Sequence, residues 1–215
     1  MFRNREDAAR QLAELIRPLE LKRPLVLAIP RGGLVTGAIL AEELGGELDV
    51  VLARKLRSPD QADLAYGAIT EDGEVYIDEE FAEASGVNDA YFHREKEHQL
   101  HVAQTRRDLL RRVRTKAEIR GRPVILVDDG ITTGATFIAA LKTVRAQEPV
   151  QLIGAIPVAP EKWVRDLRKH CDRLYVLNPA KHFWSVGQFY EDYPPIEDDQ
   201  AVYIFKQANQ RTAVR

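Results

Sequence analysis

Two neighbouring carboxylates and a loop rich in glycine and threonine meet in the segment VILVDDGITTGAT, residues 124–136. Asp128 and Asp129 follow four apolar residues of a predicted strand, and the loop after them leads into a predicted helix. The backbone N–H groups and the dipole of a helix N-terminus attract a phosphate group. Carboxylates instead accept hydrogen bonds from sugar hydroxyls or hold a metal-bound water. A ribose 5-phosphate group would satisfy both halves of the segment.

The loop offers several kinds of contact to a phosphate. The hydroxyls of Thr132, Thr133 and Thr136 can donate hydrogen bonds. Gly134 allows the backbone to approach a ligand closely. The segment has neither the GxxxxGK[ST] pattern of a P-loop nor the GxGxxG pattern of a dinucleotide-binding loop. These two common nucleotide-binding motifs are therefore not the source of its chemistry.

Short apolar runs alternate with helical patterns, which predicts an α/β fold with a doubly wound, mainly parallel sheet. The predicted strands of this sheet are LVLAI, LDVVLAR, PVILVDD, VQLIGAIPVA and DRLYVLN. The segment KLRSPDQADL is predicted to be a loop, and AYGAITEDGEVYI a β-hairpin that turns at Asp72 and Gly73. Ligands of such sheets bind beyond the carboxyl ends of the strands. The residues Pro30-Arg31-Gly32-Gly33 also follow a predicted strand and become a second candidate loop.

Residues 79–118 interrupt the alternation, because they are charged, favour helix and lack a nearby strand. We predict a short helix, a break at Gly86 and a long helix from about Asn88 to Arg114. The predicted organisation is thus a core of residues 1–78 and 119–180, a helical insertion of residues 79–118, and a C-terminal segment of residues 181–215.

Several motifs together resemble the type I phosphoribosyltransferase family. VILVDDGITTGAT is similar at all 13 positions to the family's phosphoribosyl pyrophosphate motif. PRGGLVTGAILAEELG resembles its pyrophosphate loop and following helix, and LARK resembles the basic pair before its mobile catalytic loop. The C-terminal FWSVGQFYEDYPPIEDDQAV is similar to the base-binding hood of a group of predicted family members. The resemblance covers most of the chain except residues 79–118.

This resemblance implies the type I phosphoribosyltransferase fold with a C-terminal hood in residues 181–215, and a role for each motif. Asp128 and Asp129 would bind the ribose hydroxyls, directly or through Mg²⁺, and would be the metal ligands and part of the catalytic set. Arg54 and Lys55 would neutralise the leaving pyrophosphate. The 5-phosphate would be bound by Gly130, Ile131, Thr132, Thr133, Gly134, Ala135 and Thr136. The pyrophosphate would be bound by Pro30, Arg31, Gly32 and Gly33, with Pro30-Arg31 as the expected cis peptide. Trp184, Phe189 and Tyr190 would stack on a base.

The activity implied is transfer of a phosphoribosyl group from phosphoribosyl pyrophosphate to a nitrogenous acceptor, with Mg²⁺ as cofactor. In the 6-oxopurine branch a proton-handling Asp occupies the position of Thr132, so the resemblance does not select hypoxanthine or guanine as acceptor. One alternative is a regulator of the same fold that senses phosphoribosyl pyrophosphate without catalysis. Another is a hydrolase or phosphorylase that acts on a ribose phosphate.

Structural roles remain open for several of these residues. Asp128 and Asp129 could only cap the next helix, and Pro30-Arg31-Gly32-Gly33 could form an ordinary strand-to-helix turn. Arg54 and Lys55 could form a solvated strand end, and the three hood aromatics could belong to the core.

The bulk composition narrows the class of protein. The chain has 215 residues, 45% hydrophobic and 30% charged, with a net charge of -2. This balance lacks the basic excess of a nucleic-acid-binding protein, so we expect a small-molecule acceptor as partner and no nucleic acid. The lone Cys171, the charged N-terminal segment and the lack of a long apolar run favour a cytoplasmic protein without a membrane span. A homodimer is possible, because the insertion could serve as a lid or a dimer arm.

Overall fold

The computed structural model describes residues 1–59 and 65–213. The described strands are β1 Leu25–Ala28, β2 Glu47–Val50, β3 Ala53–Arg57, β4 Ala65–Thr70, β5 Val75–Ile77, β6 Pro123–Val127, β7 Gln151–Pro160 and β8 Arg173–Ala180. The described α-helices are α1 Arg5–Ile16, α2 Gly33–Glu43, α3 Glu79–Ala84, α4 Asp89–Arg111, α5 Ala135–Arg145, α6 Glu161–Leu167 and α7 Asp198–Ala213. No helix within these residues is long and apolar enough to cross a membrane.

The main sheet is parallel and doubly wound, as the sequence predicts. Its strand order is β2-β1-β6-β7-β8, and every neighbouring pair runs in parallel. Alternate residues of β1 face opposite cores, because successive side chains of a strand point to opposite faces. Val26 packs in a core with α1, α2 and α7, whereas Leu27 packs in a core with α5 and α6. The strands are therefore apolar on both faces.

The predicted strand LDVVLAR is in fact split between two sheets. β2 ends at Val50, and β3 begins at Ala53 in a separate antiparallel sheet of order β3-β4-β5. Val51 still donates to the Ala28 carbonyl of the main sheet, whereas the Leu52 carbonyl accepts from Glu71. The chain thus leaves one sheet for the other at these two residues. The loop predicted for residues 55–64 was wrong at its start, because residues 55–57 belong to β3; residues 60–64 lie outside the described part.

The helices of residues 79–118 pack against the small sheet and the edge of the main sheet. Asn88 caps α4 by accepting from the Tyr91 N–H, and Gly86 has the positive φ of 69° expected at the break between α3 and α4. Near the end of α4, Arg111 Nη1 lies 2.6 Å from Asp49 Oδ1, and Nη2 donates to the Val50 carbonyl. Arg111 therefore ties α4 to the chain just before it crosses between the sheets.

We predict that Arg111→Met lowers the free energy of unfolding by about 3 kcal/mol, because it leaves Asp49 as a buried, unpaired charge. Asp49 is almost fully buried, whereas the neighbouring Arg112 is exposed. Urea unfolding followed by circular dichroism measures the change. Arg112→Met is the matched control, with an expected change of less than about 0.5 kcal/mol. Equal stability of the two variants would contradict this role for Arg111.

Candidate functional site

The two candidate loops meet at the carboxyl ends of β1 and β6, which are neighbours in the main sheet. The Ile29 N–H donates to the Val127 carbonyl at 3.0 Å, which continues the pairing up to the loops. A Cβ added at Gly32 would overlap the Asp129 carboxylate, and one added at Gly33 would lie 3.1 Å from the Asp128 Cα. The glycines are thus required for this close approach. The Pro30-Arg31 peptide bond is cis, as expected from the sequence.

The loop after Asp129 presents the N-terminus of α5. Gly134 is the N-cap residue with φ 80° and makes no side-chain cap, and the Ala135 N–H makes only a long hydrogen bond of 3.4 Å to Thr133 Oγ1. A left-handed N-cap of this kind suits glycine and leaves the N-terminus of the helix open to an anion. The Ile131 N–H donates to the Val158 carbonyl at 3.0 Å, which fixes the loop on the end of β7.

Lys55 reaches this loop from the small sheet. Its Nζ donates to Thr132 Oγ1 at 3.2 Å. The contact is possible because α5 packs on the small sheet, where Ala68 of β4 meets Ala135 and Ala139 of the helix. Small side chains at this contact let the two backbones approach closely. The structure therefore brings together a predicted catalytic cation and the predicted phosphate loop.

The Asp129 carboxylate is paired with Arg5, a residue that the sequence analysis missed. Arg5 Nε lies 2.6 Å from Asp129 Oδ2, and both side chains are less than a tenth exposed. The Tyr193 hydroxyl donates to the same oxygen at 2.8 Å, and the Tyr190 hydroxyl donates to the Asp129 carbonyl at 2.5 Å. The Arg5 guanidinium also stacks on the Tyr193 ring, 3.7 Å from its centroid, and donates to the Pro194 carbonyl.

These contacts join the N-terminus of the chain to its C-terminal segment. The Phe2 N–H donates to the Phe189 carbonyl, and its own carbonyl accepts from Glu191. The Phe2 and Tyr190 rings lie 5.4 Å apart, and Tyr190 stacks on Tyr193 at 4.9 Å. No local pattern could have revealed Arg5, because 124 residues separate it from Asp129 and it stands in a charged helix start typical of a solvated face.

The acid pair is electrostatically asymmetric. Burial raises the pKa of Asp128 well above its ordinary value, and the adjacent negative charge of Asp129 adds to the effect. Burial opposes the charge of Arg5, but the hydrogen bond and charge of Asp129 outweigh it and raise the Arg5 pKa. Burial and the charge of Asp129 also raise the pKa of Tyr193, so this hydroxyl stays a donor. Asp129 is thus the member of the pair with a cationic partner, and Asp128 is the one whose charge is opposed by its surroundings.

Arg54, the second predicted catalytic cation, lies among other arginines. Its Nε donates to Gln99 Oε1 of α4 at 3.1 Å. Burial lowers the pKa of Arg54, and the positive charges of Arg106, Arg57 and Arg31 lower it further. An anion bound here would relieve this repulsion. Arg31, from the predicted pyrophosphate loop, currently pairs with Glu197 at 2.8 Å.

A cavity of about 1030 Å³ opens beside the phosphate loop. Lys55, Thr132 and Thr133 line one side, and the exposed Trp184 lines the C-terminal side together with Phe183. Of the three aromatic residues proposed to stack on a base, Trp184 alone lines this cavity. Tyr190 is buried against Phe2 and Tyr193, and Phe189 lies 5.3 Å from Phe183. Their rings pack within the protein, so their position favours a structural role.

The described residues include no group of three or more histidine, cysteine or acidic side chains able to hold a metal ion by themselves. Asp128 and Asp129 nevertheless form a pair of adjacent carboxylates, beside the loop after β1 that carries Arg31. Mg²⁺ is commonly bound by only one or two carboxylates together with substrate phosphates. The donor set of the acid pair fits a metal that arrives with a phosphorylated substrate.

Comparison with known proteins shows the family of the chain. Residues 2–194 match the family model described as the phosphoribosyl transferase domain. The chain is 34% identical over 209 residues to the Mycobacterium tuberculosis proteins named "Putative phosphoribosyl transferase Rv0571c" and "Putative phosphoribosyl transferase MT0597". The match covers 97% of this chain and 47% of each relative, so the chain spans about half the length of these curated relatives.

One solved structure is similar over nearly its whole length. The crystal structure of TT1426 from Thermus thermophilus has a TM-score of 0.80 and 39% sequence identity. The alignment covers 96% of this chain and 98% of TT1426. The chain belongs to the phosphoribosyl transferase family, and the parallel sheet with flanking helices is the type I fold of that family.

We predict that Arg5→Met lowers the free energy of unfolding by about 3 to 5 kcal/mol, because it leaves the Asp129 carboxylate buried and unpaired. Urea unfolding measures the loss. Adding Asp129→Asn should restore a large part of it, since the orphaned charge is then gone. Arg3→Met is the matched control, because the Arg3 side chain is 76% exposed and pairs with the nearby Asp7. A loss in the control as large as in Arg5→Met would argue against the ion pair as its cause.

Proposed function

We propose that this chain binds phosphoribosyl pyrophosphate with Mg²⁺ and transfers the phosphoribosyl group to a nitrogenous acceptor, releasing pyrophosphate. The observation that carries the proposal is the meeting of three features: the acid pair, the N-terminus of α5 and the segment after β1 that contains Arg31. Lys55 lies at their junction, 3.2 Å from Thr132. A ligand with a diol, a 5-phosphate and a pyrophosphate presents three groups that match these three features.

In the proposed complex, Asp128 and Asp129 accept hydrogen bonds from the ribose hydroxyls, and the residues from Gly130 to Thr136 bind the 5-phosphate. One carboxylate oxygen of Asp129 stays hydrogen-bonded to Arg5 and Tyr193, which fixes the orientation of the second oxygen. The diol is thereby held in one geometry, which lowers the entropic cost of reaching the transition state. Burial and the charge of Asp129 destabilise the ionised form of Asp128. Positive charge that develops on the sugar would therefore stabilise this carboxylate.

The leaving group is proposed to lie against the loop after β1. Arg31 and the backbone of Gly32 and Gly33 bind pyrophosphate, and Arg54 and Lys55 stabilise the charge that develops as its bond to C1 breaks. The acceptor nitrogen attacks C1 from the opposite face, with inversion. Bound Mg²⁺, held by Asp128 and Asp129, would supply further neutralisation of the pyrophosphate.

The acceptor is proposed to enter the cavity beside the phosphate loop. Trp184 is 89% exposed on its rim and offers a free aromatic face to a planar base. Thr132, at the position of the purine branch's acid, can exchange a hydrogen bond but cannot take a proton as a carboxylate does. We therefore propose an acceptor outside the hypoxanthine and guanine class.

A screen tests the reaction directly. Nucleobases and related nitrogenous compounds are incubated with the full chain, phosphoribosyl pyrophosphate and Mg²⁺, and pyrophosphate release is measured. Release that depends on one acceptor supports transfer, whereas release without any acceptor indicates a hydrolase. Binding of phosphoribosyl pyrophosphate without release, together with salt-dependent binding of nucleic acid, would instead identify a sensing regulator.

We predict that Asp128→Asn with Asp129→Asn abolishes binding of phosphoribosyl pyrophosphate, because both diol acceptors and the proposed metal ligands lose their charge. Isothermal titration calorimetry in the presence of Mg²⁺ measures the affinity. Asp108→Asn is the control, since this carboxylate is exposed on α4 and should leave binding unchanged. Absence of binding to the wild-type chain would overturn the proposed function.

A further inference from the structure

Four arginine side chains gather where the start of α7 meets the loop after β1. Arg31 comes from that loop, Arg54 and Arg57 from β3, and Arg106 from α4. Two carboxylates at the start of α7 pair with two of these arginines. Arg31 Nη1 lies 2.8 Å from Glu197 Oε2 and 3.8 Å from Asp198 Oδ1, and Arg106 Nε lies 2.9 Å from Asp198 Oδ1.

The cluster keeps a surplus of positive charge. Arg31 and Arg106 pair with Glu197 and Asp198, and Glu95 beside the Arg57 backbone adds a third negative charge, so four guanidinium groups stand against three carboxylates. Glu95 itself accepts from the Arg57 N–H and from the Gln99 amide. The pKa of Arg54 is lowered by burial and by the positive charges of its arginine neighbours. The guanidinium groups of the cluster therefore repel one another. Such a surplus favours the binding of a multiply charged anion.

The contact between Arg106 and Asp198 shows how this anion would be held. Arg106 donates from Nε to one carboxylate oxygen at 2.9 Å and from Nη2 to the other at 3.4 Å. Two parallel hydrogen bonds of this kind suit two oxygens of a phosphate group equally well. The two carboxylate oxygens of Asp198 thus occupy the positions that two oxygens of a phosphate group would take, and they accept the same hydrogen bonds from Arg106.

We propose that Arg106 of α4 is a further pyrophosphate-binding residue and that Asp198, with Glu197, competes with pyrophosphate for the arginine cluster. The proposal rests on the proposed function and deepens it, because it assigns a role to the helical segment of residues 79–118. This segment contributes both Arg106 and Gln99, the residue that orients Arg54. A side chain from outside the motifs of the common core would then bind the leaving group.

The acidic partners are suited to leave when pyrophosphate arrives. Glu197 is 63% exposed and Asp198 46% exposed, so each carboxylate can be solvated by water once it leaves its arginine. Pyrophosphate brings several negative charges on one group, so it can replace both contacts at once.

The test compares two ligands by calorimetry on the full chain: inorganic pyrophosphate and ribose 5-phosphate. Arg106→Gln is expected to weaken pyrophosphate binding about 10-fold or more, because a charge-assisted, two-point contact is lost. Ribose 5-phosphate should bind as in the wild type, because its phosphate contacts the loop before α5. The matched control is Arg107→Gln, whose side chain pairs with Asp108 on the same helix. Asp198→Asn is expected to strengthen pyrophosphate binding.

Each other outcome overturns the proposal in a distinguishable way. Wild-type affinity for pyrophosphate in Arg106→Gln, or weaker binding in Asp198→Asn, rejects the role of Arg106 and leaves the proposed function standing. Loss of both ligands in Arg106→Gln assigns this residue a structural role instead. Failure of the wild-type chain to bind either ligand rejects the proposed function and this inference together.

Discussion

The buried ion pair between Arg5 and Asp129 is the interaction on which the geometry of the site depends. A carboxylate that is almost fully buried needs a partner charge and further hydrogen bonds to remain ionised. Arg5 and Tyr193 supply both, through contacts to the same carboxylate oxygen. One oxygen of Asp129 is thereby committed to the protein, and the orientation of the other is set before any ligand arrives.

Because Arg5 begins α1 and Tyr193 lies in the C-terminal segment, the same pair closes the fold on itself. Residues 2 and 3 exchange backbone hydrogen bonds with residues 189–192, and Tyr190 packs under the acid pair. The first residues of the chain and the segment after the last strand are thus parts of one unit around Asp129. Displacing either one would expose the carboxylate and change its direction.

The sequence predicted what local patterns determine. Short apolar runs alternating with helical patterns predicted the parallel sheet, and the strand-loop-helix segment around Asp128 predicted that an acid pair would directly precede a helix N-terminus. The split of LDVVLAR was not predictable, because Val51 and Leu52 are as apolar as their neighbours, and only pairing with β4 decides where the second sheet begins. The role of Tyr190 was also not predictable from the sequence. An aromatic residue in a glycine-containing segment is compatible with a base-binding site and with a core position.

The two ion pairs of the site, Arg5 with Asp129 and Arg31 with Glu197, differ in the free energy needed to break them. Arg5 and Asp129 are both less than a tenth exposed, and breaking such a pair costs about 3 to 5 kcal/mol. Arg31 and Glu197 are partly open to solvent, where a pair is worth about 1 kcal/mol or less. A ligand therefore cannot displace the first pair, but it can displace the second. Asp129, which is proposed to face the sugar, is therefore fixed by the fold, whereas Arg31, which is proposed to face the leaving group, is held by a contact that another anion can replace.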